Sequence, residues 1–441
     1  MDILCISPID GRYKNKTSGL NEFFSELGLI KYRLKIETSY LLFLFKKIGI
    51  SLSEDEKKKI TSLVKNFDSQ ECMKIKLYEH ECNHDVKAVE YYMRQKINIK
   101  RITPFIHFGL TSQDINNMSI TLSIKDFIEK IYSSKIKSII YWLNFLSNEW
   151  KEIVMISKTH GQPAVPTTLG KEFRVFSYRL EKQLAILKGV VFYGKFGGAV
   201  GNLNAHYFAY PEINWDAEFD KFVSSFGLKR ERFTTQIDNY ENLAVVFDCL
   251  RRINTVLVDL SRDIWGYISI DYLSQTFVDD EVGSSTMPQK INPIDFENSE
   301  GNLLLANNLL DFMSNKLPIS RFQRDLTDST VLRNVGSACG HILISFEGLL
   351  KGLKKITPNV KAINDDLEKN YSVLSEAIQI TLRKKGIEDG YEIIKKHFRN
   401  NRVIDKKVFK EIVNKLHLDI KEKEKLANLT HNEYVGNSKM S

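Results

Sequence analysis

Five runs of apolar residues at helical spacing constrain this chain more than any other feature. The first runs through Ile120, Ile124, Phe127 and Ile131 to Ile136, Ile140 and Leu143. The second is Leu169, Phe173, Phe176, Leu180, Leu184 and Leu187, and the third Leu243, Val246, Leu250, Ile253, Leu257, Leu260 and Ile264. A fourth follows Asn292-Pro293 and ends near Pro318. The fifth is Leu332, Val335, Cys339, Ile342, Phe346, Leu349 and Leu353, stopped by Pro358. Recurrence every three or four residues is the mark of a helix with one apolar face, not of a strand. Each run lasts about 20 to 35 residues, well beyond the usual globular helix. Stripes of that length need partners along their whole extent. The expected fold class is therefore all-α, a central bundle of long helices, and the stripes point to packing between subunits in a homotetramer.

Shorter helices and a Lys-rich surface are expected before the bundle, and a charged segment of short helices after it. The sequence thus predicts three domains, 1–111, 112–363 and 364–441, with boundaries at Thr111 and Asn364. A hydrophobic content of 43% allows a large core. The charge balance is mildly basic, 63 Lys+Arg against 55 Asp+Glu, and the excess is spread along the chain. A nucleic-acid surface is therefore not indicated, and a basic field favours small anionic substrates. Five cysteines without a C-x-x-C pair argue against a disulfide framework and a zinc site. The N-terminus reaches Asp10 and Arg12 without a signal-like apolar run, and no segment is apolar for the span a membrane requires. A cytoplasmic protein is the expectation.

Gly283-Ser284-Ser285-Thr286-Met287-Pro288-Gln289-Lys290-Ile291-Asn292-Pro293 is too polar and too rich in Gly and Pro for a core element. Its backbone N–H groups, hydroxyls and ammonium suit one anionic group. Thr159-His160-Gly161-Gln162-Pro163 reads as a Pro-bounded loop. A histidine there can shuttle a proton, although a plain surface histidine fits equally well. Asn83-His84-Asp85 opens a helix, with Asn83 as a plausible N-cap, and such a terminus suits an anion or ordinary capping. Thr111 and Ser112 likewise start a helix and either cap it or hold a carboxylate or phosphate. Arg321 to Arg333 packs three arginines and several hydroxyls, for bidentate anion binding or local ion pairs. The Gly-rich 193–202 stretch lacks phosphate-loop and dinucleotide order and reads as a turn. Jointly these groups fit an elimination or addition on a multiply anionic substrate.

The Gly283 to Pro293 segment resembles the signature of the fumarase/aspartase superfamily. Thr159 to Pro163 and Thr111-Ser112-Gln113-Asp114 are similar to two further regions of it. Asp10-Gly11-Arg12-Tyr13, Asn83 to Tyr91 and Arg324 to Arg333 resemble its bacterial-type adenylosuccinate lyase branch. Gln289 stands where that branch usually has His, an order more typical of argininosuccinate lyases, the alternative reading. The resemblance implies release of fumarate from adenylosuccinate, giving AMP, and from the succinylated aminoimidazole carboxamide ribotide of purine synthesis. No cofactor or metal is implied. His160 would be the general acid and Ser284 the general base, with Ser285 the alternative base. Lys290 and Asn292 would stabilise charge. Arg12, Tyr13, Asn83, His84, Asp85, Thr111, Ser112, Gln236, Asn298, Arg324, Ser329, Thr330, Val331, Leu332 and Arg333 would bind the nucleotide or succinyl parts, in pockets shared between subunits. A catalytically silent helical oligomer is the competing class.

Overall fold

A computed structural model of the chain describes residues 3–276, 287, 290–398 and 404–440. The described chain is overwhelmingly helical. All five sequence runs are helices: Ser112–Phe127 continuing into Ser133–Glu149, then Leu169–Lys188, Glu241–Ser269, Ile294–Lys316 and Val335–Leu353. The first run is broken by a single π turn at Ile128–Tyr132, which widens the helix without ending it. Among the described residues, three two-stranded sheets accompany the helices. None of the described helices is long and apolar enough to cross a membrane.

Contacts divide the chain into two compact units. The first comprises Met1–Ile136, Gln183–Thr255 and Gly301–Glu347; the second comprises Lys137–Lys182, Val256–Glu300 and Gly348–Ser441. The boundaries between them fall inside the long helices.

In the first unit, one helix in the N-terminal region is not short: Glu26–Lys47 spans 22 residues. Its burial runs almost all round, from Ile30 through Arg33, Leu34, Glu37, Tyr40 and Leu41 to Phe45. A helix buried on every side shows no clean stripe, so its length does not stand out in the sequence. Ile30, Leu34, Leu41 and Phe45 pack with Ile60, Ile75, Val89, Met93 and Ile97 from three neighbouring helices into one apolar core.

In the second unit the expected loop around His160 is a β-hairpin. Val154–Thr159 pairs antiparallel with Gln162–Thr168, Thr159 opposite Gln162 and Val154 opposite Thr168. Pro163 and Pro166 stand within the second strand, opposite Lys158 and Ile156, where the register shifts. Proline gives no ladder N–H, so it survives in a strand only at an edge or a bulge. Here both conditions hold, and the Ser157 hydroxyl donates to the Val165 carbonyl across the irregularity at 2.6 Å. Helix Leu169–Lys188 follows the hairpin directly. A Cβ on Gly170 would lie 2.2 Å from the Ser147 carbonyl oxygen, so only glycine permits that turn. Trp150 meets Phe173 edge to face, with ring centroids 4.9 Å apart.

Candidate active site

The site residues of the first unit are set by the ends of three helices. Helix Asp85–Ile97 is capped by His84, whose Nδ1 accepts the Lys87 N–H at 3.1 Å. Asn83 is not the N-cap that the sequence suggested. It ends the preceding helix Ser69–Cys82 with φ 49°, a left-handed conformation that asparagine tolerates. Helix Ser112–Phe127 begins after Thr111, whose N–H donates to Asp114 Oδ2 at 2.8 Å. The two starts are adjacent: Ser112 Oγ lies 3.4 Å from His84 Nε2. The third element is the short helix Thr327–Leu332, which carries Ser329, Thr330, Val331 and Leu332.

Asp85 joins these elements. Its Oδ2 accepts from Arg33 Nη2 at 2.5 Å and from Arg333 Nη2 at 3.4 Å, and its Oδ1 accepts the Val86 N–H at 2.8 Å. Burial alone would raise this carboxyl, but Arg33, the Val86 N–H and Arg333 together hold it below the ordinary value. Arg33 is almost fully buried and also donates from Nε to Asn116 Oδ1 at 2.8 Å, while its Nη1 has no hydrogen-bond partner among the described residues. Arg333 is exposed and donates to Glu26 Oε1 at 2.7 Å. A narrow cavity of about 80 Å³ opens among these groups, with Ser329, Gln113 and Asn116 on its polar side and Phe23, Phe24 and Leu332 on its apolar side.

Ser329 links this cavity to a third arginine. Arg324 Nη2 donates to Ser329 Oγ at 3.1 Å and Nη1 to Gln236 Oε1 at 3.4 Å. So His84, Asp85, Ser112, Gln236, Arg324, Ser329 and Arg333 form one connected polar surface in this unit, with Leu332 on its apolar side. Val331 is buried in the core and Thr330 is exposed. Arg12 lies over the ring of Tyr13, 5.9 Å from its centroid.

In the second unit, His160 and Gly161 form the two-residue turn of the hairpin, with φ 54° and 72°. Positive φ at both central residues is what a type I′ turn requires, and it places the imidazole at an exposed tip. Lys158 Nζ meets Asp366 Oδ2 at 2.9 Å and Thr168 Oγ1 donates to the Ser438 carbonyl at 3.2 Å, so both ends of the hairpin are anchored. Lys290 is exposed, and Asn292 and Asn298 are half-buried, Asn298 on helix Ile294–Lys316. Gly283, Ser284, Ser285 and Gln289 lie outside the described residues. Among the described residues no group of three or more His, Cys, Asp or Glu is placed to hold a metal ion.

Several polar residues of the site were not singled out in the sequence: Arg33, Asn116, Asp114, Lys195, Tyr240 and Asp328. Arg33 left no signal of its own, because Lys31 and Lys35 stand beside it in the same helix. Next to Gln236, Asp238 is also buried, and its Oδ2 accepts the Tyr240 N–H at 3.0 Å while Oδ1 has no partner. Burial pushes this carboxyl up from 3.8 to about 7; the Tyr240 N–H opposes the rise and Glu231 adds to it. A folded-state value above the unfolded one means the native chain binds the extra proton. Its contribution is full below about 4 and is lost as pH climbs through about 7. Asp238→Asn is expected to raise the melting temperature relative to the parent at pH 8 and to leave it unchanged near pH 4. Equal effects at both pH values would refute the assignment.

The chain's fold matches a fumarate lyase from Mesorhizobium, at TM-score 0.76 and 16% identity over 96% of both chains. It also matches the 3-carboxy-cis,cis-muconate lactonizing enzyme of Pseudomonas putida, at TM-score 0.75 and 17% identity over 96% of this chain and 94% of that one. Residues 11–306 match the family described as Lyase, and residues 320–435 the adenylosuccinate lyase C-terminal family. The fold and sequence class is thus that of the helical lyases. The chain is 46% identical to the adenylosuccinate lyase of Dictyostelium discoideum over 99% of its own length and 97% of that protein's. It is 44% identical to that of Buchnera aphidicola from Acyrthosiphon pisum, over 98% and 97%. The chain belongs to the adenylosuccinate lyase family.

Proposed function

We propose that the chain cleaves adenylosuccinate to AMP and fumarate, and the succinylated aminoimidazole carboxamide ribotide to its carboxamide and fumarate. Full-length similarity to adenylosuccinate lyases supports this reading, and the connected arginine, histidine and hydroxyl surface of the first unit is what carries it. Such a surface suits a phosphorylated nucleotide bearing two further carboxylates.

In the proposed reaction Ser284 removes the proton from the carbon beside a carboxylate. The C–H electron pair becomes the C=C bond of fumarate, the C–N pair leaves with nitrogen, and His160 protonates that nitrogen. Lys290, Asn292 and the Gly283-Ser284-Ser285 backbone stabilise the charge that builds on the carboxylate. The same donors favour the serine alkoxide, which makes a weakly acidic hydroxyl a usable base. Ser285 is the alternative. Arg324, Ser329, Arg333, His84 and Asp85 hold the nucleotide, with Arg12, Tyr13, Thr111, Ser112, Gln236 and Asn298 completing the pocket. The three-domain division at Thr111 and Asn364, cytoplasmic location, and a homotetramer with shared pockets complete the reading. Leu304, Leu305 and Phe312, exposed along helix Ile294–Lys316, favour an interface there.

Release of fumarate from adenylosuccinate by the purified protein is the expected result, read from ultraviolet absorbance. Turnover of argininosuccinate instead, or no release from either, would refute the reading. Sedimentation at micromolar concentration is expected to give four times the 51.0 kDa chain mass. A stable monomer would remove the shared pockets.

A further inference from the structure

Arg324 is held in an unusual way. Its Nη2 lies 3.7 Å from Asp328 Oδ1, within ion-pair range but too far for a hydrogen bond. Asp328 is only 4% exposed, and that oxygen has no hydrogen-bond partner among the described residues. A buried carboxylate beside a guanidinium normally closes into a short fork-to-fork pair. Here its other oxygen, Oδ2, accepts the Tyr240 hydroxyl at 3.0 Å instead. Tyr240 is itself 1% exposed, and its backbone N–H is fixed by Asp238. Its φ of 62° is a conformation that a bulky residue rarely adopts. The chain thus holds a phenol in a strained position against a carboxylate whose nearest cation stays at arm's length.

We propose that Tyr240 and Asp328 are positioning residues that hold Arg324 available for the substrate. The Tyr240 hydroxyl takes part of the carboxylate's hydrogen-bonding capacity and pins its orientation. Asp328 then orients Arg324 by charge without saturating it. The guanidinium remains directed to Ser329 and Gln236, the two residues that share its proposed pocket. Without the hydroxyl, Asp328 closes on Arg324, draws it off Ser329 and Gln236, and neutralises the charge an anionic group would meet. The inference rests on the reading of Arg324 as a substrate-binding residue.

The test is steady-state kinetics with adenylosuccinate on the full-length protein. Tyr240→Phe is expected to raise KM about tenfold, the scale of one hydrogen bond to a charged group, while kcat changes less than about threefold. Arg324→Met is expected to raise KM further. Adding Tyr240→Phe to Arg324→Met is expected to change nothing more, because the phenol acts only through that guanidinium. A structural role alone would give the same fold-change in both backgrounds, and that result overturns the proposal. So does an unchanged KM in Tyr240→Phe when Arg324→Met raises it. An unchanged KM in Arg324→Met sinks the binding reading of Arg324, and the proposal with it. If Tyr240→Phe does not fold, Asp328→Asn takes its place. It keeps the acceptor for the phenol and removes the charge, with the same expected rise in KM and the same loss of effect in Arg324→Met.

Discussion

His160→Asn is expected to lower kcat by about 10² to 10⁴, the range of lost general acid–base catalysis, while the protein melts at or above the parent's temperature. The two effects separate because the residue has a place in the fold and a proposed place in the chemistry. Structurally it is the first central residue of a hairpin turn with φ 54°, followed by Gly161 at φ 72°. Asn-Gly is the most favourable pair for such a turn, so asparagine keeps or improves the fold. Chemically, an amide cannot donate a proton to a departing nitrogen. Alanine is the poorer control, since a Cβ residue without a polar side chain is strained at positive φ. Ser284→Ala is expected to give a fall of similar size. The pair made together is expected to cost little more than either alone, as for groups acting in one concerted step. Near-normal turnover of His160→Asn would remove the imidazole from the acid role. Near-normal turnover of Ser284→Ala would pass the base role to Ser285.

How much of this was legible in the sequence depends on whether a residue's role leaves a local trace. The five long helices were readable because each has a buried and an exposed face, so apolar residues recur every three or four positions. Glu26–Lys47 was not read as a long helix, because its polar Arg33, Glu37 and Thr38 are as buried as Leu34 and Leu41. Its burial is two-sided, and the stripe disappears. The hairpin around His160 was hidden by Pro163 and Pro166, which ordinarily argue against a strand. They fit only because the register breaks between Ile156 and Lys158. Arg324, Ser329 and Arg333 were visible as a cluster of charge and hydroxyls in one segment. Arg33 and Tyr240 were not, because each pairs with a residue at least 52 positions away in the chain. Single-sequence reading has no measure of such pairings. It finds the groups that face a ligand more easily than those that hold them in place.

Asp114→Ala is expected to destabilise the protein by about 3–5 kcal/mol, the cost of breaking a buried charge pair, and more than Lys195→Met does. Asp114 and Lys195 are both 0% exposed, with Lys195 Nζ 2.7 Å from Asp114 Oδ1. The Gly-rich stretch read as a plain turn therefore contains a buried cation, in strand Tyr193–Lys195. The two partners are not equivalent. Asp114 also accepts the N–H groups of Thr111, Gly197 and Gly198 at 2.8, 2.8 and 3.1 Å. Lys195 Nζ has one other acceptor, the Gly198 carbonyl at 2.7 Å. Losing the lysine leaves a carboxylate that still holds three backbone donors. Losing the aspartate leaves a buried ammonium with the Gly198 carbonyl alone and takes the acceptor from all three N–H groups, those of Gly197 and Gly198 being buried. The second loss is the larger, and it falls on the turn that carries Thr111 and Ser112, two proposed substrate contacts. Urea midpoints are the measurement, with KM for adenylosuccinate in the surviving fraction as the functional readout. Asp114→Ala is expected to shift both, and Lys195→Met to shift the midpoint less. If Lys195→Met proved the more damaging, the carboxylate would not be the hub that holds the turn.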